Sequence, residues 1–392
     1  MRRFSNVGLV GLLVLAATPL FAQISVPEIP FDSAPDFLKL PDDVVMGEAV
    51  GVATNSKGHI FVYTRDGTRA YSVGTSREFG RGAAARLYEF DQNGTFIREI
   101  GKGTYALGFA HTVRVDPQDN IWMVDEGTNM IVEFNPDGKV MMTLGRRPED
   151  FLSTPGPVED NQSAGGATGG QLLMRLAQEL AGPPRGGMAE GAAPAGAGGA
   201  GEGGSPGPFI TFNRQTDIAW DSAGNSFVAD GYNNKRVVKI DKNGNFVKAF
   251  GSRGRGPGQF EDVHTIQVDH QGNVYVGDRL DGRVDVFDND GNFKTAYINV
   301  GAPWAICVSP GQHQYLYTNN TSLASIDDMG QSGEFYKMEL DGRIVGKFGH
   351  SGKKLKEFGW VHEIDCRNDN QVLSGEILNW RVQKLTLHPQ MN

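Results

Sequence analysis

The 392-residue sequence lacks several features that mark large protein classes. It has only two cysteines, Cys307 and Cys366, which is too few for a disulfide framework. Both fall inside apolar strand patterns, so we expect two buried free thiols. Basic residues do not cluster and the formal net charge is −9, which argues against nucleic acid as a partner. Beyond the N-terminal region, no apolar run is long enough to predict a membrane span.

Residues 1–22 have the pattern of a secretory signal peptide. A basic start at Arg2 and Arg3 precedes an apolar run from Val7 to Leu15, and small residues lead to Ala22. The apolar run is too short for a comfortable membrane span. We therefore expect residues 23–392 to be exported, as a periplasmic or secreted protein.

Helical periodicity is scarce, and a repeated strand pattern replaces it. The segment Asp221–Asp230 recurs as Asp269–Asp278 and, earlier, as Asp116–Asp125. In each copy, alternating apolar residues follow a Gly-Asn or Asp-Asn turn, and a second strand and an Asp-x-x-Gly type of turn come next. The copies lie about 40 residues or more apart, which is typical of four-stranded propeller blades.

The repeats predict an all-β fold, a six-bladed β-propeller with NHL-type repeats. The core segments of the blades are expected at 46–101, 106–145, 212–251, 260–299, 301–349 and 356–387. Because an open sheet edge invites aggregation, we expect residues 24–45 to supply a strand that closes the ring with the last blade. Residues 147–207 interrupt the domain 23–392. Gly187–Gly204 is nearly all Gly, Ala, Pro and Glu, so we expect a Gly/Ala-rich disordered insertion.

Histidine is also scarce, yet three of the eight histidines occupy one repeated position. The first strand of each blade is its inner strand. When the six inner strands are aligned on the turn that follows each of them, the repeated position holds Val50, His111, Thr216, His264, Trp304 and His362. Inner strands face the central channel, so histidines from alternate blades would converge there. Three imidazoles with one open position predict a catalytic zinc site, although softness rules do not exclude copper or iron. The alternative is that each histidine is only a polar residue at the rim.

A second repeated position supplies charge near the same rim. Arg65 and Arg279 occupy it in the first and fourth blades, on opposite sides of the ring. Paired guanidinium donors there would bind a carboxylate, or would merely pair with an acid of a neighbouring blade. Tyr232 falls close by, where guanidiniums and a dication would favour its anionic form and make it a base. By itself, a tyrosine at a rim is more often a packing residue.

The chain resembles peptidyl-α-hydroxyglycine α-amidating lyase over about residues 46–387, outside the insertion. The most specific segments are His111–Asp125, Val228–Val237, Gly256–His264, Val276–Val284 and Trp360–His362. The resemblance implies a six-bladed propeller with zinc on His111, His264 and His362. It also implies a catalytic Tyr232, active-site Arg65 and Arg279, and a structural Ca²⁺ bound by the carbonyls of Val52 and Val113 and by Glu363.

The implied reaction splits the C–N bond of a peptidyl-α-hydroxyglycine, a carbinolamide, into an amide and glyoxylate. The partner is then a peptide C-terminus or a small molecule, with oligomeric state undetermined. Glu363 stands where the family has Asp, and Trp360 stands where it has Met, so calcium binding and the shape of the pocket are open. Two other functions are weighed: a non-catalytic NHL propeller that binds a protein or glycan, and a metal-dependent propeller hydrolase or lactonase.

Overall fold

The computed structural model describes residues 26–65, 85–104, 106–145, 212–321, 333–368 and 370–388. The predicted signal peptide at 1–22 and the insertion at 147–207 lie outside these residues. Within the described ranges every regular element is a strand. Those ranges accordingly contain no helix with the length and hydropathy that a membrane span requires.

Six four-stranded antiparallel sheets form the blades, which we number in chain order. The first strands are β1 (Phe31–Ala34), β2 (Glu48–Thr54), β3 (Ile60–Arg65), β4 (Ala85–Phe90), β5 (Phe96–Ile100), β6 (Ala110–Val115), β7 (Ile121–Asp125), β8 (Met130–Phe134) and β9 (Val140–Gly145). Strands β2–β5 form blade 1 and β6–β9 form blade 2.

Blades 3 and 4 follow. Their strands are β10 (Asp217–Trp220), β11 (Ser226–Asp230), β12 (Arg236–Ile240), β13 (Phe246–Phe250), β14 (Ser252–Arg253), β15 (Gln259–Phe260), β16 (Val263–Val268), β17 (Val274–Asp278), β18 (Arg283–Phe287) and β19 (Phe293–Tyr297). Strands β10–β13 form blade 3, β16–β19 form blade 4, and β14 and β15 make a small parallel pair between them.

Blades 5 and 6 complete the ring. Their strands are β20 (Ile306–Val308), β21 (Tyr315–Asn320), β22 (Glu334–Glu339), β23 (Ile344–Phe348), β24 (His350–Ser351), β25 (Glu357–Phe358), β26 (Val361–Asn368), β27 (Gln371–Glu376) and β28 (Arg381–Leu387). Blade 6 takes its fourth strand from the other end of the chain, because β1 pairs with β28 in the register Phe31↔Leu387. The six blades and the predicted closing strand are therefore confirmed.

The repeated Asp turns explain how each blade reverses its chain. The Asp221 carboxylate accepts backbone N–H groups of Ala223 and Asn225 at 3.0 and 2.9 Å. The Asp269 carboxylate likewise accepts the backbone N–H groups of Gln271 and Asn273, at 2.8 Å each. Gly224 and Gly272 complete these turns at φ of 83°, a conformation that costs glycine little. The turns are therefore determined by an Asp and a Gly that are close in sequence, and such turns can be predicted from the sequence.

The hydrophobic core is divided into six clusters, one at each interface between neighbouring blades. Because side chains alternate along a strand, one strand can contribute to two clusters. In β7, Ile121 and Met123 face blade 1, whereas Trp122 and Val124 face blade 3. Each sheet therefore packs apolar residues on both of its faces, which accounts for strands such as β7 that read as nearly continuous apolar runs.

The two cysteines form a disulfide, so the prediction of free thiols was wrong. Cys307 lies in β20 of blade 5 and Cys366 in β26 of blade 6, 59 residues apart in sequence. Both side chains point into the interface between these blades, where they pack in one core cluster. The sequence predicted that each cysteine is buried, but it gave no sign that the inner strands of blades 5 and 6 bring the two cysteines together.

Candidate metal centre

The three histidines project from β-bulges at the start of the inner strands. In blades 2, 4 and 6, the strand pairing slips by one residue at His111, His264 and His362. Blade 1 has the same irregularity at Val50. A bulged residue leaves the ladder and re-aims its side chain, so a repeated bulge turns the repeated position toward the channel.

Buried carboxylates at the ends of second strands fix the loops that lead into these bulges. The Asp125 carboxylate accepts the N–H groups of Gly108 and Phe109 at 2.9 Å each, just before β6. Asp278 accepts those of Glu261 and Asp262 at 3.0 and 2.8 Å, just before β16. The repeated acid of the sequence pattern therefore positions the segments that carry His111 and His264.

The imidazoles of His111, His264 and His362 meet on the channel axis. Their candidate ligand atoms all lie within 4.8 Å of one another, and each residue is at most 3% exposed. Zn–N bonds are about 2.0–2.1 Å, so a shift of less than about 1 Å would bring all three onto one ion. The predicted convergence of these side chains is present in the structure.

Hydrogen bonds orient two of the imidazoles, and burial favours the neutral, metal-binding form of all three. Nδ1 of His264 lies 2.7 Å from the carbonyl of Trp304, and Nδ1 of His362 lies 2.7 Å from that of Val50. Each Nδ1 therefore carries the proton, which leaves Nε2 as the lone-pair nitrogen. Burial lowers the pKa of all three imidazoles well below the usual value. Neutral rings with an unpartnered buried nitrogen, such as Nε2 of His264, fit a zinc ion.

Tyr232 lies against this cluster. Its hydroxyl is 3.1 Å from Nε2 of His111, and its ring centroid is 5.8 Å from that of His264. Gly231 allows this placement, because a Cβ there would lie 1.7 Å from the carbonyl oxygen of Val263. Burial raises the pKa of the phenol, and the nearby Arg279 opposes that rise. The protein groups by themselves therefore favour the protonated phenol. The expected anionic form included the charge of a bound dication, so it stays a prediction.

Three arginines surround the histidines, each paired with one acid. Arg65 binds Glu48 at 2.5 Å and Arg279 binds Asp262 at 2.6 Å. Both predicted arginines therefore have partners within the chain and still act on the imidazoles, since each contributes to lowering the pKa values of all three. Nε of Arg279 is buried without a hydrogen-bond partner among the described residues.

Arg214 is the third arginine, and sequence reasoning missed it. Its guanidinium lies 4.4 Å over the Tyr232 ring and pairs with Glu126 at 3.0 Å. Glu126 in turn lies 3.7 Å from Nε2 of His111. Glu126 occupies the same repeated position of the sequence as Arg65, so its location near the rim could be predicted from the sequence. Arg214 lies in the link to blade 3 and has no counterpart in the repeat.

Trp304 and Trp360 form an aromatic wall beside the histidines. The Trp304 ring lies 5.3 Å from His264, 5.8 Å from His362 and 5.6 Å from the half-buried Trp360 ring. The Arg279 guanidinium stacks on Trp304 at 4.7 Å. Arg279 therefore lies between this aromatic wall and the Tyr232 ring, whose centroid is 5.2 Å from the guanidinium.

The residues expected to bind calcium lie one layer beyond the histidines. Strands β2 and β6 approach closely there, since a Cβ on Gly51 would be 2.5 Å from the backbone nitrogen of Val113. The side chains of Val52 and Val113 are fully buried in two interface clusters. Glu363 follows His362 and binds the Arg114 guanidinium at 3.0 Å. Burial raises the pKa of the Glu363 carboxyl, whereas the Arg114 guanidinium lowers it.

Comparison with known proteins agrees with the fold and the resemblance. Residues 216–362 match a family described as DUF5128, 6-bladed beta-propeller. The chain is 24% identical over 365 residues to rat peptidylglycine α-amidating monooxygenase, covering 88% of this chain and 31% of that protein. It is 24% identical over 299 residues to peptidyl-α-hydroxyglycine α-amidating lyase 1 of Drosophila melanogaster, covering 70% and 44%.

The chain thus spans about a third of the length of the rat protein. A solved Bacteroides thetaiotaomicron structure of unknown function superposes with a TM-score of 0.54 at 11% identity, over 92% of this chain and 77% of the other, and supports the fold alone. Homologues named for the NHL repeat are also found. The resemblance to the amidating-lyase group is therefore confirmed at low identity, and its named members suggest a lyase on a propeller.

Proposed function

We propose that the protein is a zinc-dependent lyase that cleaves the C–N bond of an N-acyl-α-hydroxyglycine, such as a peptidyl-α-hydroxyglycine. The products are the amide and glyoxylate. The observation that carries the proposal is the convergence of three neutral imidazoles on one point, with the Tyr232 hydroxyl 3.1 Å from Nε2 of His111. A purely binding propeller has no need of such a buried cluster.

His111, His264 and His362 would hold the ion and leave one position open for substrate. When bound, zinc would supply Lewis-acid polarisation of the substrate hydroxyl. The residues fit such an ion because burial keeps their rings neutral and two backbone carbonyls orient them.

The balance of charge supports an anionic substrate. The three Arg–acid pairs around the histidines, Arg65–Glu48, Arg279–Asp262 and Arg214–Glu126, are together neutral. A dication would add two positive charges, which a substrate carboxylate and a tyrosinate would offset. Nε of Arg279 and Nε of Arg214 are buried donors without acceptors among the described residues, so they are available for a carboxylate.

The bond changes then balance without a further reactant. Tyr232, in its ionised form, accepts the proton of the carbinol hydroxyl. The electron pair of that O–H bond forms the carbonyl of glyoxylate as the C–N bond breaks. The amide nitrogen takes the bonding pair, and the phenol of Tyr232 returns the proton to it, so that Tyr232 is again ionised at the end of the cycle. Arg65 and Arg279 hold the carboxylate in place while charge moves from the hydroxyl oxygen to the amide nitrogen.

The aromatic wall would orient the N-acyl group of the substrate. With the carboxylate held by the arginines, the N-acyl group would lie along the Trp304 and Trp360 rings, which adjoin Arg279. A flat or apolar acyl group would bury surface against these rings. We therefore propose that the chain prefers apolar acyl groups, which includes a peptide with an apolar residue before the hydroxyglycine.

We further propose that the mature chain is exported. The disulfide between blades 5 and 6 supports this, because such bonds persist in oxidising compartments and are rare in the cytosol. The basic, then apolar, then small-residue pattern of residues 1–22 agrees with it.

The test of the proposed activity is a glyoxylate-release assay. Zinc-loaded protein is given an N-acyl-α-hydroxyglycine, with a protein-free control for spontaneous breakdown. We expect equal amounts of amide and glyoxylate at a rate far above the control. If zinc-loaded protein releases glyoxylate no faster than the blank, the lyase assignment is wrong.

A further inference from the structure

The central channel holds an arginine just beyond the histidine layer. Arg114 lies in β6 of blade 2 and is 7% exposed. It donates to both oxygens of Asp217 in blade 3, at 2.8 and 2.7 Å, and pairs with Glu363 of blade 6 at 3.0 Å. It also lies 3.5 Å from the carbonyl of Ile306 in blade 5. One guanidinium therefore connects four of the six blades across the channel.

The acids around it are already engaged by donors of this chain. Glu363 accepts the Thr112 hydroxyl on one oxygen, and Arg114 and the N–H of Ile364 on the other. Asp217 accepts the Thr265 hydroxyl and the N–H of Ile266, at 2.9 Å each, besides Arg114. Few carboxylate lone pairs remain for another cation.

A calcium ion on Val52, Val113 and Glu363 does not fit these surroundings. Ca²⁺ takes six to eight oxygen ligands, and here the only carboxylate of the expected set is already bound. The ion would also lie beside a buried guanidinium, where like charges are weakly screened. We propose instead that Arg114 is the resident cation of the channel, and that this chain ties its inner strands together without calcium.

The test compares calcium content and thermal stability. The full chain is freed of zinc on a chelating resin, its remaining calcium is measured by mass spectrometry, and the Tm of this zinc-free chain is recorded in EGTA and in millimolar calcium, so that the two buffers differ only in calcium. We expect no stoichiometric calcium and the same Tm in both buffers. A tightly held calcium ion, or a Tm that falls in EGTA, would overturn the proposal.

A variant pair tests the role of the guanidinium itself. Arg114→Ala leaves Asp217 and Glu363 buried without their cation, so its Tm should fall in EGTA and recover in part when calcium is added. The control is Arg236→Ala, which removes an arginine that pairs with Asp230 outside the channel. It should gain nothing from calcium. An Arg114→Ala chain as stable as the wild type in EGTA contradicts the proposal; if this variant does not fold, the wild-type measurement decides.

Discussion

The hydroxyl of Tyr232 in blade 3 lies 3.1 Å from Nε2 of His111 in blade 2. This contact joins the residue proposed as base to a residue proposed as metal ligand, across a blade interface. Burial raises the pKa of the phenol, so the ionised form depends on positive charge nearby. The chemistry of the site therefore depends on how the metal and the arginines act on this one side chain.

Replacing Tyr232 by Phe removes the proton acceptor and leaves the ring in place. We expect the variant to keep its zinc and to lose about 10²-fold or more in kcat, the usual contribution of a positioned base. Zinc content and glyoxylate release measure the two effects separately. The control is Tyr336→Phe, whose hydroxyl binds Glu334 in blade 5, away from the channel. Unchanged turnover in Tyr232→Phe would remove this residue from the mechanism.

Arg214 is expected to set the pH at which Tyr232 becomes active. Its guanidinium lowers the pKa of the phenol, although burial dominates and the net direction is upward. Removing it in Arg214→Ala should raise that pKa further. The rising limb of the pH–rate profile should then move to higher pH, while Arg214→Lys keeps the charge and most of the profile. A profile that does not move in Arg214→Ala would show that this arginine only packs against the ring.

Trp360 is expected to act on substrate binding rather than on bond cleavage. In Trp360→Met, the acyl group loses an aromatic contact worth about 1 kcal/mol, so KM should rise roughly three- to tenfold with kcat nearly unchanged. The matched control is Trp380→Met. Trp380 has a similar positive φ, 49° against 51°, but is 51% exposed. Equal effects in both variants, measured with one apolar N-acyl-α-hydroxyglycine, would argue against an acyl site at Trp360.

The disulfide should contribute strongly to stability. It closes a loop with a sequence separation of 59 residues, for which chain entropy gives about 4 kcal/mol. The double variant Cys307→Ala, Cys366→Ala should therefore unfold at a clearly lower denaturant concentration than the oxidised wild type. Reductant should weaken the wild type and leave the double variant unaffected. Coincident unfolding curves for oxidised and reduced wild type would contradict this expectation.

Repetition explains which parts of this molecule could be predicted from its sequence. The turns at Asp221 and Asp269 are local, and the histidine register is visible because the bulge recurs in several blades. The blades, their closure and the convergence of the histidines all follow from that regularity.

Contacts that do not repeat from blade to blade were not predicted from the sequence. Arg214 lies in a link outside the register, and its contact with Tyr232 depends on how one loop packs. The pairing of Cys307 with Cys366 and the reach of Arg114 across the channel arise between blades, where spacing along the chain gives no signal. The full burial of Tyr232, which raises the pKa of its phenol against the effect of the guanidiniums, also gave no signal in the sequence.

The most direct test of the account is the zinc content of the purified chain and of two histidine variants. The wild type should hold about one zinc per chain, and His264→Ala should lose it while keeping its fold, since the interface clusters supply the stability. His270→Ala, which changes an exposed histidine in a turn of the same blade, should keep its zinc. A His264→Ala chain that retains the full wild-type zinc would contradict the three-histidine site on which the proposed chemistry depends.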